Sequence, residues 1–339
     1  MTRRFLNNRS LSLLVILTLF VIMFGYGSFA YTGFFSLQNF LNLFIDNAYL
    51  LILAVGMTFV IISGGIDLSV GSMLGLGTML AASLLEKQHL NPLLVILIVV
   101  GFGTLLGFFM GCLIQIFDLP PFIITLAGLY LARGLCYIVS IDTIGITNKF
   151  FMTAAQARIK ITGDTFVSPS AVIALVVVAV GAYVLRFTRF GRTIYAIGGN
   201  EQSALLMGLP VARTKIAIYA LSGFCSGLAG VVFTFYTLSG YALDGKGMEL
   251  DAIATVVIGG TLLTGGAGSI LGTVFGVLVY GTIQVLIVFQ GTLNSWWTRI
   301  AIGFLVFLFC FLQRLFEARK GVTVAHSFSQ EPAAIAGGG

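Results

Sequence analysis

The chain consists mostly of long apolar runs separated by short polar stretches. A run such as LLVILTLFVIMF, residues 13–24, approaches the roughly 20 residues that an α-helix needs to cross a hydrocarbon core about 30 Å thick. The pattern predicts about ten membrane spans, at residues 11–31, 46–63, 69–86, 92–117, 121–140, 167–187, 213–237, 250–264, 268–290 and 294–314. We therefore expect an all-α polytopic membrane protein, because a β-barrel would show shorter segments of alternating polarity.

Composition agrees with this fold class and narrows the function. Of 339 residues, 58% are hydrophobic and 9% are charged, against roughly 25% charged residues in soluble domains. The four cysteines lie singly, without the paired spacing of a disulfide framework or a zinc site, and neither histidine belongs to a ligand cluster. No catalytic constellation is visible, so we predict a transport protein without a metal or cofactor, not an enzyme. Residues 1–316 should form one transmembrane domain, and residues 317–339 a disordered cytoplasmic tail.

The positions of Lys and Arg predict the orientation of the chain in the membrane. Basic residues collect in the N-terminal tail, in residues 186–215 and after residue 313, so these regions and both termini should be cytoplasmic. The loops at 142–165 and 238–249 balance their charges and should face outward. The net charge of +6 fits loops beside anionic lipid, so no nucleic-acid partner is expected.

Two glycine-rich interruptions break the apolar pattern. In VIISGGIDLSVGS, residues 60–72, Gly64 and Gly65 form a helix stop, and Asp67 and Ser69 form a helix start. A second copy, VVIGGTLLTGGAGSILG at residues 256–272, carries the pairs Gly259-Gly260 and Gly265-Gly266. Irregular backbone at membrane depth must be buried in protein or line a wet cavity, so we expect two broken or re-entrant regions near a central pathway.

Three charged side chains near these spans allow alternative interpretations. Asp67 is either an N-cap that fixes the break or an intramembrane functional carboxylate. Arg133 and Arg299 either snorkel to an interface, pair with a buried acid or contact substrate. The pathway should suit an uncharged polar solute, since the polar residues within the spans are mostly hydroxyls and amides: Thr58, Ser63, Thr104, Gln115, Thr125, Thr255 and Gln284.

The loop at 186–215 is longer than a connector needs to be. Asn200 can cap a short helix that runs from Glu201 to Met207, and Gly208 and Leu209 begin the sequence that ends it. We expect this helix to lie across the cytoplasmic face. It either contacts a partner protein or rests on lipid headgroups as an amphipathic segment.

Four motifs together resemble a known family. They are AVGMTFVIISGGIDLSVGS at 54–72, AIGGNEQSALLMGL at 196–209, YALSGFCSGLAG at 219–230 and DAIATVVIGGTLLTGGAGSILGT at 251–273. In this order they resemble the permease subunits of bacterial carbohydrate ABC importers, which serve ribose, galactose and related sugars. The resemblance covers residues 35–315. FIDNAYLLILAVGMTFVIISGG and the sequence Ser-Trp-Trp-Thr at 295–298 are most similar to a permease of the galactofuranose importer.

The resemblance implies a function and a set of partners. It implies ATP-driven import of a sugar, a furanose, hexose or pentose such as galactofuranose, across the bacterial inner membrane. The partners would be an ABC ATPase, a second permease that is homologous or identical, a periplasmic sugar-binding protein, the sugar and membrane lipid. The alternative is an ion-coupled secondary transporter of a small polar solute, for which Asp46 and Asp67 offer little support.

In such importers a loop helix couples the ATPase to the membrane domain. Carried onto this chain, the coupling residues would be Asn200, Glu201, Ala204, Gly208 and Leu209. The sequence departs from the broader Glu-Ala-Ala signature, since Gln and Ser lie between Glu201 and Ala204. The segment GYALDGKG, residues 240–247, lacks the final hydroxyl of a phosphate-binding loop, so ATP is expected to bind a partner.

Overall fold

The structure is a computed structural model that describes residues 2–163, 165–292, 294 and 296–311. Its helices are α1 (Thr2–Ala30), α2 (Leu37–Asp46), α3 (Ala48–Ile62), α4 (Val70–Glu86), α5 (Pro92–Ile116), α6 (Pro121–Val139), α7 (Lys149–Gln156), α8 (Pro169–Phe187), α9 (Arg189–Gly199), α10 (Glu201–Leu206), α11 (Val211–Thr237), α12 (Met248–Ile258), α13 (Ile270–Gln290) and α14 (Trp296–Phe311). The strands are β1 (Ile144–Gly145), β2 (Ile159–Thr162), β3 (Thr165–Val167) and β4 (Ser239–Gly240). The predicted disordered tail at 317–339 lies outside the described residues.

A polytopic helical membrane protein is confirmed, but the count of about ten spans is not. Within the described residues, six helices are long and apolar enough to cross a membrane: the 13–30 part of α1, and α5, α6, α8, α11 and α13. The predicted span at 46–63 corresponds to α3, and α2, which the pattern did not predict as part of it, meets α3 at a bend of 58°; the two together make a seventh candidate. The predicted spans at 69–86 and 250–264 form shorter helices, α4 and α12, each of which adjoins a glycine break, and the described part of the predicted span at 294–314 is α14.

Helix α11 lies at the centre of the bundle, and glycines bring α5 against it. A Cβ added at Gly103 or Gly107 would collide with the backbone of α11 at Gly223 or Tyr219. Small residues at four-residue spacing allow this approach, which replaces the hydrophobic driving force that lipid removes. Gly103, Gly107 and Gly223 therefore serve to pack α5 against α11.

Four short strands modify the all-α prediction at one end of the bundle, which we call the strand end. β1 pairs with β4, and β2 pairs with β3, both antiparallel. The pairing of β1 with β4 joins the loops at 142–165 and 238–249, both of which the sequence predicts to face outward. Helix α8 starts at the strand end, directly after β3, and α11 finishes there, directly before β4. Residues 188–210 connect the other ends of these two helices, so they lie at the opposite end of the bundle, which we call the loop end.

Candidate functional site at the broken helices

The first break begins with a regular helix stop. Gly64 adopts a left-handed φ of +86°, which glycine tolerates best. Its N–H donates to the Ile61 carbonyl at 2.9 Å, and the Gly65 N–H donates to the Val60 carbonyl at 3.1 Å. This pair of bonds is a Schellman motif, which satisfies the last free carbonyls of α3.

The second break repeats the same stop at the end of α12. Gly260 has a φ of +82°, and the N–H groups of Gly260 and Thr261 donate to Val257 and Val256. The two breaks diverge after the stop. Ser269 caps α13 by accepting from the Gly272 N–H, whereas α4 starts at Ser69 without a side-chain cap. The sequence repeat therefore produces the same backbone structure only at the ends of α3 and α12, not at the starts of α4 and α13.

The two breaks meet in a single junction. The Gly266 N–H donates to the Ile62 carbonyl, the last residue of α3, at 2.8 Å. A Cβ added at Gly265 would lie 3.0 Å from Gly64, and Gly265 also has a left-handed φ of +85°. Gly64, Gly265 and Gly266, which the sequence assigns to separate breaks, thus form one close crossing of backbones, which we call the glycine junction. Gly65 packs against Tyr219 instead, and Gly259 packs against Gly272 of α13.

Helix α9, which the sequence analysis did not predict, ends on this junction. A Cβ added at Gly198 would collide with the Ile62 carbonyl and with the Gly266 nitrogen. The Tyr195 hydroxyl donates to the Gly268 carbonyl at 2.8 Å. Two features of the sequence could have indicated this helix: Thr188, which caps its start, and the apolar Ile194 and Ile197, which are buried. Helix α9 therefore connects the loop directly to both breaks.

The predicted short helix is confirmed as α10, directly after α9. The Asn200 side chain accepts from the Ser203 N–H at 2.7 Å, and Glu201 forms a salt bridge with Lys215. At the other end, Gly208 and Leu209 donate to Leu205 and Ala204 with Gly208 at φ +73°, a third Schellman stop. Ala204 is buried against α9 and α11.

The end of α10 carries an exposed apolar tip. Leu205, Leu206 and Met207 are exposed, and Leu206 keeps 90% of its side chain accessible. Their backbone is fixed at both ends by the Asn200 cap and the Gly208 stop. The predicted coupling residues Asn200 and Gly208 thus support a surface for an external contact that consists of this apolar tip beside the exposed Gln202 and Ser203.

Asp67 stabilises the first break from its centre. Its Oδ1 accepts from the Ser69 N–H at 2.9 Å and from the Ser69 hydroxyl at 2.6 Å, and its Oδ2 accepts from the Ser222 hydroxyl of α11 at 2.7 Å. The interpretation of Asp67 as an N-cap is wrong, because Ser69 occupies the N-cap position of α4. Two residues of turn intervene between Asp67 and the helix, so its carboxylate organises that turn instead.

The predicted outer loop at 238–249 enters the bundle alongside α4. Gly240 packs against Thr78, the Asp244 backbone against Gly75, and Gly245 against Gly71. Arg133 donates to the carbonyls of Ala242 and Asp244, at 2.5 and 2.8 Å. Arg133 therefore holds two backbone carbonyls and also interacts electrostatically with the half-buried Asp244 carboxylate, in line with the predicted pairing with an acid.

Several polar side chains predicted to line a path are satisfied within the protein. Thr104 and Thr255 donate to carbonyls of their own helices, and Thr125 also reaches the Ile66 carbonyl in the break. Thr58 bonds Thr273 across α3 and α13 at 2.7 Å. Among the described residues, no group of three or more His, Cys, Asp or Glu could hold a metal ion.

Sequence reasoning missed one pair within this region. Asp251 in α12 adjoins the hydroxyl of Tyr280 in α13, and Arg299 lies close enough to interact with the carboxylate. Arg299 also stacks its guanidinium 5.2 Å from the Trp296 ring centroid. The signal was an acid at the start of the predicted span 250–264, which should have been singled out.

Comparison with known proteins gives consistent matches over nearly the whole chain. The chain is 49% identical to the inner membrane ABC transporter permease protein YjfF of Escherichia coli, over 93% of this chain and 97% of that protein. It is 41% identical to the fructose import permease protein FruG of Bifidobacterium longum, over 93% and 94%. It is 40% identical to the ribose import permease protein RbsC of Haemophilus influenzae, over 83% and 85%.

No solved structure gives a match. The resemblance to carbohydrate importer permeases is confirmed by these relatives. A family model described as the branched-chain amino acid transport system / permease component matches residues 39–310. The chain is thus a multi-pass membrane protein that belongs to this permease family.

Proposed function

We propose that the chain is the membrane-spanning subunit of an ATP-driven importer that carries a sugar across the bacterial inner membrane. The observation that carries the proposal is the glycine junction, where α9 contacts the end of α3 and the segment before α13 at once. Such a contact gives an external helix a direct mechanical route into the bundle. The permease relatives named for fructose and ribose import support a sugar as the substrate.

The loop end faces the cytoplasm in this proposal. Arg186, Arg189, Arg192, Arg213 and Lys215 collect there, and an excess of basic residues marks cytoplasmic loops. Both chain termini lie on the same side. With α4, α12 and α14 counted as crossing or partial crossings, the chain passes the membrane about ten times, with two interrupted regions.

The coupling step begins at α10. An ABC ATPase binds the exposed tip formed by Leu205, Leu206 and Met207, and closure of the ATPases on ATP shifts α10 and α9 as one body. Because α9 ends against Ile62 and Gly266, the shift reaches α3 and the segment before α13 together. The path then opens outward to receive sugar, and hydrolysis resets it. A periplasmic sugar-binding protein and a second permease complete the assembly.

The transported solute is a neutral sugar. The family description names amino acids, whereas the permease relatives with a substrate in their names carry sugars. Sequence motifs further favour galactofuranose. Uptake by the complete complex in proteoliposomes, with a panel of ribose, fructose, allose and galactofuranose, tests the choice.

The coupling role is tested by Gly208→Arg in the same reconstituted complex. Gly208 has a left-handed φ of +73° and no atom near its missing side chain, so the arginine projects from the contact tip. We expect an inserted complex whose ATP hydrolysis is no longer stimulated by the sugar-loaded binding protein. Gly33→Arg is the matched control, since Gly33 has a φ of +81° with equally open surroundings far from α10. Equal stimulation in both variants would reject the coupling role.

ATP dependence is a separate test of the transport class. An importer of this kind copurifies with an ATPase and moves sugar only when ATP is supplied. Sugar transport at full rate by the purified chain alone, on an ion gradient, would instead establish a secondary transporter.

A further inference from the structure

Asp251 lies at the middle level of a membrane span. Helices α12 and α13 run antiparallel: Gly259 packs against Gly272, and the Thr255 carbonyl packs against Gly276. One turn further along, Asp251 adjoins Tyr280. Tyr280 is at the centre of α13, whose 21 residues cover about 31 Å, the thickness of a hydrocarbon core. The Asp251 carboxylate therefore lies about halfway through the membrane.

A carboxylate at this depth needs water or polar partners. Charged groups in membrane spans almost always face the bundle interior or a water-filled cavity, and they commonly mark substrate pathways. Asp251 is only partly buried, and its neighbour Leu250 keeps 62% of its side chain accessible. The side of α12 that carries these residues is thus an open surface at membrane depth.

Further polar groups gather around the pair from other helices. Tyr49 of α3 interacts with Asp251, Asp46 and Tyr236, and the rings of Tyr49 and Tyr236 lie 6.2 Å apart. Tyr236 is 60% exposed, and Asp46 is exposed as well. We call this surface the Asp251 face: Asp46, Tyr49, Tyr236, Asp251 and Tyr280. A surface with this many polar groups is unsuited to contact with lipid tails.

One buried acceptor atom beside this face lacks a hydrogen-bond donor. It is the Asn47 Oδ1, one of four such side-chain atoms in the described part of the chain. Asn47 is 2% exposed, and its amide lies against Gly281, the residue after Tyr280. Buried polar groups are normally paired, so an unpaired acceptor at this place calls for a ligand that supplies a donor.

The chemistry of the face selects the kind of ligand. The carboxylates of Asp46 and Asp251 accept hydrogen bonds, and Arg299 is a cation close to Asp251. Such an excess of acceptors suits a ligand with many hydroxyl donors and repels an anion such as a sugar phosphate or sugar acid. The tyrosines add hydroxyl groups and apolar ring faces.

We propose that the Asp251 face binds the transported sugar halfway through the membrane, with the Asp251 carboxylate accepting hydrogen bonds from sugar hydroxyls and the buried Tyr280 holding that carboxylate in place. The inference rests on the proposed function, and it adds the residues that line the path and the preference for a neutral polyol. Sugar released by the binding protein would contact these groups on its way inward.

The first test compares uptake by Asp251→Asn and Tyr280→Phe complexes with that of the wild type, using the sugar that the wild type imports best. Asp118→Asn and Tyr130→Phe are the matched controls, because both residues are exposed and lie on α6 or the turn before it. We expect uptake to fall at least ten-fold in each face variant and less than two-fold in each control. Uptake within two-fold of wild type in Asp251→Asn would overturn the proposal.

The second test separates sugar contact from a merely structural role. Leu250→Cys and the lipid-facing Leu105→Cys are placed in a chain whose four natural cysteines are alanine, and both complexes are treated with a membrane-impermeant maleimide. We expect Leu250→Cys alone to react, and to react more slowly with sugar-loaded than with sugar-free binding protein. An unreactive Leu250→Cys, or a rate that sugar does not change, would contradict the assignment. Failure of the wild-type complex to import any sugar would instead contradict the proposed function.

Discussion

The Gly266 N–H donates a hydrogen bond to the carbonyl oxygen of Ile62, 2.8 Å away, and so joins residues from two distant segments of the chain. Ile62 ends α3 and Gly266 precedes α13, so neither broken helix ends independently of the other. Gly198 of α9 packs against both groups. Backbone atoms form all three sides of this contact, and backbone cannot change rotamer to absorb a displacement. A shift of α9 must therefore move the junction as a whole.

The close approach of Gly65 to Tyr219 predicts that a substitution at Tyr219 restores the stability lost by a substitution at Gly65. A Cβ added at Gly65 would collide with the Tyr219 hydroxyl, while its contacts with Val60 and with the ring are at ordinary distances. Gly65→Ala should destabilise the protein by about 1–3 kcal/mol, as overpacking does. Adding Tyr219→Phe removes the hydroxyl and should restore most of the loss.

Thermal unfolding in detergent measures this effect. Gly134→Ala, where no atom lies within 4 Å, serves as the neutral control. A double variant as unstable as Gly65→Ala alone would show that the hydroxyl is not the obstacle.

The hydrogen bonds of Asp67 predict a difference between two substitutions. Asn keeps one oxygen for Ser69, and its amide can donate to the Ser222 hydroxyl, so Asp67→Asn should retain most sugar uptake. Asp67→Leu leaves the Ser69 N–H and two hydroxyls unpaired, and each unsatisfied group costs about 1–3 kcal/mol. Uptake by the two reconstituted variants decides between them. Equal loss in both would show that the negative charge itself is required.

The bond between Thr58 and Thr273 predicts a modest coupling between α3 and α13. Hydroxyl bonds between membrane helices contribute about 0.6 kcal/mol on average, because each group also finds partners when separated. Thr58→Val and Thr273→Val should each cost about that much, and the double variant should cost less than their sum. A double-mutant cycle on denaturant unfolding measures the difference. Additive losses would mean that the two hydroxyls do not interact.

Local features of the sequence predicted the helix stops and the short loop helix. Adjacent glycines favour a left-handed residue after a helix, and Gly64 and Gly260 adopt it. Asn200 and Gly208 delimit α10 in the same way. These outcomes depend on a few neighbouring residues, which is why the residue types alone indicate them.

Contacts between distant segments could not be predicted in this way. Nothing in the pattern around Gly198 indicates that Ile62 and Gly266 lie beside it, because three separate segments must pack before the contact exists. Helix α9 escaped notice because its arginines and glycines obscure the apolar face formed by Ile194 and Ile197. The count of about ten spans stays a prediction, because α4, α12 and the described part of α14 are shorter than the roughly 20 residues of a full crossing.

The central claim is that movement at the loop end reaches both breaks through Gly198. ATP-driven sugar uptake by complexes carrying Gly198→Ala or Gly199→Ala tests it most directly. The added methyl group at Gly198 would collide with the backbone of Ile62 and Gly266, whereas the one at Gly199 meets open space. With equal copurification of the ATPase, we predict at least ten-fold slower uptake for Gly198→Ala and nearly normal uptake for Gly199→Ala. Equal uptake by the two variants would contradict the account.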